Sequence, residues 1–237
     1  VMGLAELLAQ IGVAYDSEEA LALGARIAEF LTREARAASV ELGQRRGSFP
    51  AFHDSLWPGR GFTALRNAAV TCIAPTGTIS LIAACSSGIE PFFALAFVRR
   101  VLDGRLLLEV SPTVTTVLSA LGPAAASALE EVRKHGSLRH VTNLPEEIRR
   151  RFPIALEIPP AFHVRMQAAF QAHIDAGVSK TVNLPPHASP EAVREVFLLA
   201  RELHLKGITV YRYGSRPGQT LSLVEEGPRH DCRECAV

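Results

Sequence analysis

Residues 181–212 constrain the fold most, because strand, helix and strand patterns follow one another there in a short stretch of chain. An apolar strand is predicted over residues 181–184, Ser189-Pro190 begins a helix, and a second strand is predicted over residues 208–212 after Gly207. The predicted inner face of the helix consists of Val193, Val196, Phe197, Ala200 and Leu203. Two strands joined through one helix are expected to be parallel, with the helix packed on the outside. The sequence therefore predicts an α/β fold.

Periodic apolar residues predict two longer helices. Asp16 and Glu19 form a capping-box-like start, after which apolar residues recur at helical spacing up to Gly43. Another helix is predicted over residues 161–176, with His173 as a satisfied core histidine on its apolar face. Asp103-Gly104 between two apolar runs predicts a β-hairpin.

Residues 68–80 are typical of an anion-binding turn. A buried strand is predicted over residues 68–73, followed by a turn and a helix start at Thr76-Gly77-Thr78-Ile79-Ser80. Unpaired N–H groups and the dipole at a helix start favour a negative charge, Gly77 lets the backbone approach a phosphate, and the hydroxyls add donors. No lysine follows, so this is not a Walker A loop. The alternative is a capped helix whose hydroxyls only satisfy their own backbone.

Composition excludes several classes of protein. The 25 basic and 24 acidic side chains nearly cancel, which gives no indication of a nucleic-acid or membrane partner. No apolar run is long enough to span a bilayer, and residues 1–11 lack the features of a signal peptide. With 4 cysteines, the chain is expected to be reduced and cytoplasmic. Its opening residues enter an apolar helix at once, as if the chain began inside a domain.

Several motifs together resemble one enzyme family, the vitamin B12-dependent (class II) ribonucleotide reductases. The resemblance covers residues 1 to about 219, and its motifs occur in the family's order. They are RNAAVT (66–71), APTGTIS (74–80), CSSGIEP (85–91), HVRMQAAF (163–170), VSKTVNLP (178–185) and KGITVYR (206–212).

The resemblance implies both a fold and a reaction. Residues 1–213 would supply the later strands and helices of the family's ten-stranded α/β barrel, incomplete in this chain, and residues 214–237 a flexible tail. The enzyme would convert ribonucleotides to 2'-deoxyribonucleotides for DNA synthesis, using adenosylcobalamin to begin thiyl-radical chemistry. Thr76, Gly77, Thr78, Ile79 and Ser80 would hold the phosphates of a ribonucleoside di- or triphosphate.

Other parts of the family's active site have no match here. These are the radical cysteine, the glutamate and asparagine that handle the 2' hydroxyl, and the reducing cysteine pair, all of which lie upstream in the family. Cys72 and Cys85 are instead expected to be buried small hydrophobic residues. The chain is thus expected to need the N-terminal part of the reductase, and its uncovered sheet to cause poor solubility or a homodimer. The rival hypothesis is a non-catalytic nucleotide-binding module.

The tail carries a C-x-x-C motif at Cys232 and Cys235. A close dithiol can pass electrons to a disulfide, and in the family a C-terminal pair commonly re-reduces the active site with a thioredoxin-type reductant. The alternatives are no role at all, or zinc binding with help from His230; a fourth zinc ligand is missing, so no metal site is predicted.

Three further residues are candidates near the predicted site. Glu90 is interpreted as a structural carboxylate bonded to backbone amides rather than a catalytic one. Lys180 could form an ion pair at the end of the barrel or could sense phosphate, and the sequence does not separate these. Tyr213 departs from the family, which usually has aspartate there.

Overall fold

The computed structural model describes residues 1–100, 106–122, 124–215 and 221–224. Its helices are, in chain order, α1 (Leu4–Gln10), α2 (Glu18–Arg46), α3 (Gly77–Ile82), α4 (Pro112–Ser119), α5 (Ala124–His135), α6 (Glu146–Arg150), α7 (Pro160–Gln171) and α8 (Pro190–Glu202). A short 3₁₀ helix covers Pro58–Arg60 inside the otherwise irregular stretch between α2 and α3.

The described strands form two small sheets. β1 (Ala96–Arg100) pairs antiparallel with β2 (Leu106–Val110) on one side and with β5 (Leu221–Leu223) on the other. β3 (Thr181–Leu184) pairs in parallel with β4 (Thr209–Arg212), with Val182 opposite Val210. These strands do not close into a barrel, which agrees with the mixed, incomplete α/β architecture that the sequence predicts.

The βαβ unit and the hairpin are confirmed, with one correction to a helix face. Ser189 caps α8 by accepting a hydrogen bond from the amide of Ala192, and Val196 and Ala200 are buried on the inner face. Phe197, predicted to lie on that face, is 51% exposed. The turn of the hairpin, including Asp103 and Gly104, lies outside the described residues.

Within the described residues, three clusters of buried apolar side chains form the core. The first joins α1, α4, α5 and α6 to the start of β1, the second joins α1, α2 and α7, and the third lies under β3, α7 and α8. Helices α2 and α7 pack very closely at Gly24, where an added Cβ would lie 2.9 Å from the Phe170 ring. Among the described helices, none has both the length and the hydrophobicity that a membrane-crossing helix requires.

The predicted bounds of α2 are wrong at both ends. Ser17, not Asp16, is the N-cap, and its hydroxyl accepts a hydrogen bond from the amide of Ala20 at 3.1 Å. The helix also continues through Gly43 to Arg46. The glycine is needed for packing rather than termination, because an added Cβ there would lie 2.9 Å from the backbone of Leu65 and Arg66.

The predicted buried strand at residues 68–73 is also wrong. Only Ile73 forms a bridge, to Val178, and Ile73 is also the one buried residue of the segment. Its backbone is satisfied by other groups: the amide of Val70 donates to the Asp175 carboxylate, and the carbonyl of Thr71 accepts from the amide of Ala176. Side chains and loops thus replace the expected sheet ladder.

Helix α7 ends earlier than predicted, at Gln171 rather than at residue 176. The side-chain amide of Gln171 donates to the carbonyls of Ile174 and Ala176, which satisfies part of the loop that follows. His173 therefore lies beyond the helix and is only half-buried, so its interpretation as a core histidine is wrong. The fully buried histidine of this helix is His163.

Candidate functional site

The loop that begins α3 owes its shape to Thr76. This residue has a left-handed backbone, with φ 53° and ψ 21°, a region that a β-branched residue rarely adopts. Its hydroxyl oxygen accepts a hydrogen bond from the amide of Gly88 at 2.8 Å. The threonine hydroxyl thus ties the loop to the next turn of the chain instead of capping its own helix, which differs from the simple capped-helix alternative.

The first turn of α3 presents open backbone amides. The first helical bond runs from the amide of Ser80 to the carbonyl of Thr76 at 2.9 Å. The amides of Gly77, Thr78 and Ile79 have no acceptor within the described part of the chain, and all three residues are exposed. A Cβ added to Gly77 would contact nothing within 4 Å, so there is open space beside these amides.

The hydroxyls of the loop do not act alike. Ser80 is 2% exposed, and its hydroxyl donates to the carbonyl of Gly77 at 3.0 Å, so it stabilises the loop from inside. Thr78 is exposed beside the open amides. Of the predicted phosphate-binding residues, Gly77, Thr78 and Ile79 therefore face solvent, whereas Ser80 is turned into the protein.

The turn after α3 is clamped to the N-terminal helix. Glu6 accepts hydrogen bonds from the amide of Ser86 at 2.9 Å and from its hydroxyl at 2.6 Å. The amide of Gly3 donates to the carbonyl of Ser86 at 2.9 Å. Because Gly88 in the same turn contacts Thr76, helix α1 stabilises the loop indirectly.

A buried polar cluster lies on the other side of this turn. The ammonium of Lys180 is 2.5 Å from Glu90 Oε2, 2.8 Å from His163 Nδ1 and 2.6 Å from the carbonyl of Thr181. The second carboxylate oxygen of Glu90 accepts from the amide of Thr181 at 2.6 Å. The ion-pair interpretation of Lys180 and the backbone-bonded interpretation of Glu90 are therefore both confirmed.

The electrostatics of the cluster follow from its burial. Burial, with the positive charge of Lys180 as a second cause, lowers the pKa of His163 to about 3. Burial also lowers the pKa of Lys180, while Glu90 acts in the opposite direction. Tyr15 donates to the carbonyl of Ile89 at 2.5 Å, and burial followed by the charge of Glu90 raises its pKa.

His163 belongs to a family motif, but no role for it was predicted from the sequence. Its Nε2 contacts the carbonyl of Ala155 at 3.0 Å, which leaves Nδ1 as the acceptor for Lys180. The partners lie 8 and 17 residues away in the sequence, and no local pattern brings them together.

The cysteines differ from expectation. Cys72 is exposed and Cys85 is half-buried, so their prediction as buried residues is wrong for the first and only partly met by the second. Burial, and then the nearby charge of Glu6, raises the pKa of the Cys85 thiol. Cys232 and Cys235 lie outside the described residues.

The strand β5 lies inside the segment that we expected to be a tail. It pairs Leu223 with Phe97, and the hydroxyl of Tyr213 accepts from the amide of Leu223 at 3.0 Å. Tyr213 itself is buried. Tyr213, where the family usually has aspartate, therefore provides a hydrogen-bond acceptor for β5.

Comparisons with known proteins agree with this architecture. The family model for the ribonucleotide reductase barrel domain matches residues 1–64 and 61–211. A vitamin B12-dependent ribonucleoside-diphosphate reductase of Mycobacterium tuberculosis is 50% identical over 96% of this chain and 32% of its own length. The protein of the same name from Thermoplasma acidophilum is 45% identical over 94% of this chain and 29% of its own length.

A solved structure shows the same fold. The class Id ribonucleotide reductase alpha subunit of Actinobacillus ureae superimposes with a TM-score of 0.75 at 25% identity, over 90% of this chain and 38% of that one. The chain thus spans about a third of the length of its curated relatives. From the family match and these identities, the chain belongs to the ribonucleotide reductase family and contains part of its barrel domain.

Proposed function

We propose that this chain is the C-terminal portion of the catalytic subunit of a vitamin B12-dependent ribonucleotide reductase, which converts ribonucleotides to 2'-deoxyribonucleotides. The observation that carries the proposal is the 50% identity to the Mycobacterium tuberculosis enzyme across 96% of the chain. The structural likeness to a reductase alpha subunit adds support.

Within that enzyme, the loop that begins α3 would bind the phosphates of the substrate. The open amides of Gly77, Thr78 and Ile79 can donate to phosphate oxygens, and the exposed hydroxyl of Thr78 can add a further bond. Thr76 and Ser80 would hold the loop in shape through Gly88 and Gly77. The relatives' names favour a ribonucleoside diphosphate over a triphosphate.

Adenosylcobalamin is the proposed cofactor, because the relatives are named vitamin B12-dependent. It supplies the cobalt–carbon bond whose homolysis begins radical chemistry. A cleft of about 720 Å³ lies between α2 and the loop after α7, and its lining includes the charged residues Arg33, Arg36 and Lys206. Nothing in this lining is specific for the corrin ring, so no residue of this chain is assigned to the cofactor.

The remaining parts of the reaction would come from partners. The N-terminal part of the reductase would supply the radical cysteine and complete the barrel, and a thioredoxin-type protein would supply electrons in the cytoplasm. Cys232 and Cys235 would relay those electrons to the active site. Self-association into a homodimer is part of the same proposal.

Reconstitution tests the proposal. The chain is combined with the N-terminal part of the reductase, adenosylcobalamin, CDP and a dithiol, and deoxycytidine diphosphate is measured. We expect product only when both parts are present. No product with a folded N-terminal part would contradict the enzyme proposal and favour a non-catalytic nucleotide-binding module.

The phosphate loop is tested separately by NMR. CDP and inorganic pyrophosphate should shift the amide resonances of Gly77, Thr78 and Ile79 in the isotope-labelled chain, whereas cytidine, which lacks phosphates, should not. Shifts elsewhere with none in this loop would contradict its assignment.

A further inference from the structure

The buried ammonium of Lys180 is fully coordinated by this chain. The residue is 1% exposed, and its three N–H donors have three acceptors: Glu90, His163 Nδ1 and the carbonyl of Thr181. A buried charge is costly unless it is paired and hydrogen-bonded in this way. Lys180 therefore fixes the direction of each partner, and it has no donor left for a substrate.

Glu90 carries this constraint to the turn after α3. Its amide donates to the carbonyl of Ser87 at 2.8 Å, which closes the turn that contains Gly88. On the far side of Glu90, the amide of Ala155 donates to the carbonyl of Phe92 at 2.7 Å, and the carbonyl of Ala155 contacts His163. Glu90, which pairs with Lys180, thus closes the turn through its own amide, and Ala155, which contacts His163, holds the chain beyond it.

The turn after α3, fixed in this way, holds Thr76. The amide of Gly88 donates to the Thr76 hydroxyl oxygen at 2.8 Å, and Gly88 has little freedom to move, because even a Cβ there would lie 3.2 Å from the carbonyl of Ala74. A left-handed threonine persists only where its surroundings hold it. A single chain of contacts therefore runs from Lys180 through Glu90 and Gly88 to Thr76.

We propose that Lys180 is a positioning residue for the phosphate loop: through Glu90 it holds the Gly88 turn, and Gly88 holds Thr76 in the backbone conformation that leaves the amides of Gly77, Thr78 and Ile79 open. This inference rests on the proposed phosphate-binding role of that loop. Lys180 does not touch the substrate. It acts at a distance, by keeping the binding conformation populated before the nucleotide arrives.

The protonation of His163 agrees with this role. Because burial keeps the pKa of His163 near 3, the imidazole is neutral at neutral pH and can accept the hydrogen bond from the ammonium. Its other nitrogen is occupied by the carbonyl of Ala155. The ring thus orients Lys180 toward Glu90.

The test compares wild type with Lys180→Met, which keeps the length of the side chain and removes the charge. Binding of CDP and of inorganic pyrophosphate to the chain is measured by calorimetry and by the amide resonances of residues 77–79. We expect Lys180→Met to bind about tenfold more weakly, the loss that follows if the loop is competent in only a tenth of the molecules.

A double-mutant cycle with Thr76→Ala separates positioning from general damage. If Lys180 acts through the Gly88–Thr76 contact, then Lys180→Met combined with Thr76→Ala should bind no more weakly than the worse single variant. Glu90→Gln, which keeps the shape of the side chain, replaces Lys180→Met in the same cycle if that variant does not fold.

The matched control is Val164→Ala, which truncates a fully buried side chain next to His163 on α7. It should lower the melting temperature and leave nucleotide binding unchanged. Wild-type affinity in both Lys180→Met and Glu90→Gln, additive losses with Thr76→Ala, or an equal loss in Val164→Ala would overturn the positioning role. Failure of the wild-type loop amides to respond to CDP and pyrophosphate would instead overturn the phosphate-loop proposal itself.

Discussion

Thr76 and Gly77 are neighbours in the sequence but have different roles in the loop. Thr76 holds a strained backbone through its hydroxyl contact with Gly88, whereas Gly77 contributes by having no side chain beside the open amides. Gly77 does not require a positive φ, and a Cβ there would meet nothing. We propose that glycine at this position leaves space for the phosphate, because its backbone does not need a positive φ.

Substituting Gly77→Ala tests that reason. We expect stability to stay the same or to rise by up to about 1 kcal/mol, because alanine favours a helix more than glycine does. Binding of CDP should weaken, because the new methyl group enters the space beside the amides. Thermal unfolding and calorimetry measure the two effects.

The control for this prediction is Gly207→Ala, another glycine whose added Cβ would meet nothing within 4 Å. It should bind CDP as wild type does. Unchanged CDP binding in Gly77→Ala would show that the phosphate does not lie against this residue.

His163 predicts an acid dependence of stability. Its pKa is about 3 in the folded chain and about 6.5 in the unfolded chain, so between these values the unfolded state binds the extra proton. The contribution of His163 to the free energy of unfolding is therefore fully present above about pH 6.5. As the pH drops from 6.5 toward 3, the free energy of unfolding decreases by up to about 1.4 kcal/mol per pH unit. Urea unfolding between pH 7 and pH 4 measures this slope.

The matched variant is His163→Gln, whose side chain does not titrate. It should be less stable than wild type at pH 7 and show a shallower loss of stability as the pH falls. An identical slope in the variant would mean that other groups cause the acid sensitivity.

At the level of elements, β5 extends the β1–β2 hairpin with a strand from a distant part of the chain. In the part of the chain that the structure describes, three residue pairs join it to β1, so its stability depends on additional contacts. Tyr213, which is 3% exposed, supplies one by accepting from the amide of Leu223, and its ring lies 6.4 Å from that of Phe93.

Tyr213→Phe should loosen β5 selectively, because it keeps the ring and removes the acceptor. A lost hydrogen bond of about 1 kcal/mol corresponds to roughly fivefold faster exchange of the Leu223 amide hydrogen. Hydrogen exchange measured by NMR reports this rate. Tyr211→Phe on β4 is the control and should leave Leu223 unchanged; equal protection in wild type and Tyr213→Phe would contradict the anchoring role.

At the scale of the whole molecule, α3 exposes apolar side chains next to the proposed phosphate site. Ile79 is 54% exposed and Ile82 is 82% exposed. We propose that the rest of the reductase covers this face in the complete enzyme. In the chain alone, such side chains favour self-association.

Ile82→Ser should therefore increase the monomer fraction of the chain in sedimentation velocity. Its stability should hardly change, because the side chain makes few contacts at this exposure. Leu198→Ser, on the exposed face of α8, is the control and should have little effect. The prediction is wrong if wild type is already monomeric at high concentration.

The proposed electron relay also belongs to this scale, because it connects the tail to an active site formed by more than one part. Replacing both Cys232 and Cys235 with serine should abolish multiple turnover with a thioredoxin-type reductant in the reconstituted enzyme, and should spare a single turnover. Cys72→Ser, which removes an exposed cysteine outside the tail, is the control. Unchanged steady-state rates in the double variant would exclude the relay.

Local patterns in the sequence were sufficient for the βαβ unit, the hairpin and the α3 turn. Each was recognised from neighbours in the chain: Ser189-Pro190 begins α8, and a helix begins at Gly77 as the turn pattern predicts. The family motifs, which are also contiguous, indicated the reductase barrel domain that the comparisons confirm.

Only the tertiary structure decided which polar groups form hydrogen bonds with one another. Residues 68–73 read as a strand, but Asp175 and Ala176 provide the hydrogen bonds that a sheet would have provided. The Lys180 cluster joins three segments that are distant in sequence, so no periodicity records it. Burial and hydrogen-bond pairing depend on residues that are close in space but distant in the sequence. A sequence pattern indicates only the contacts between residues a few positions apart.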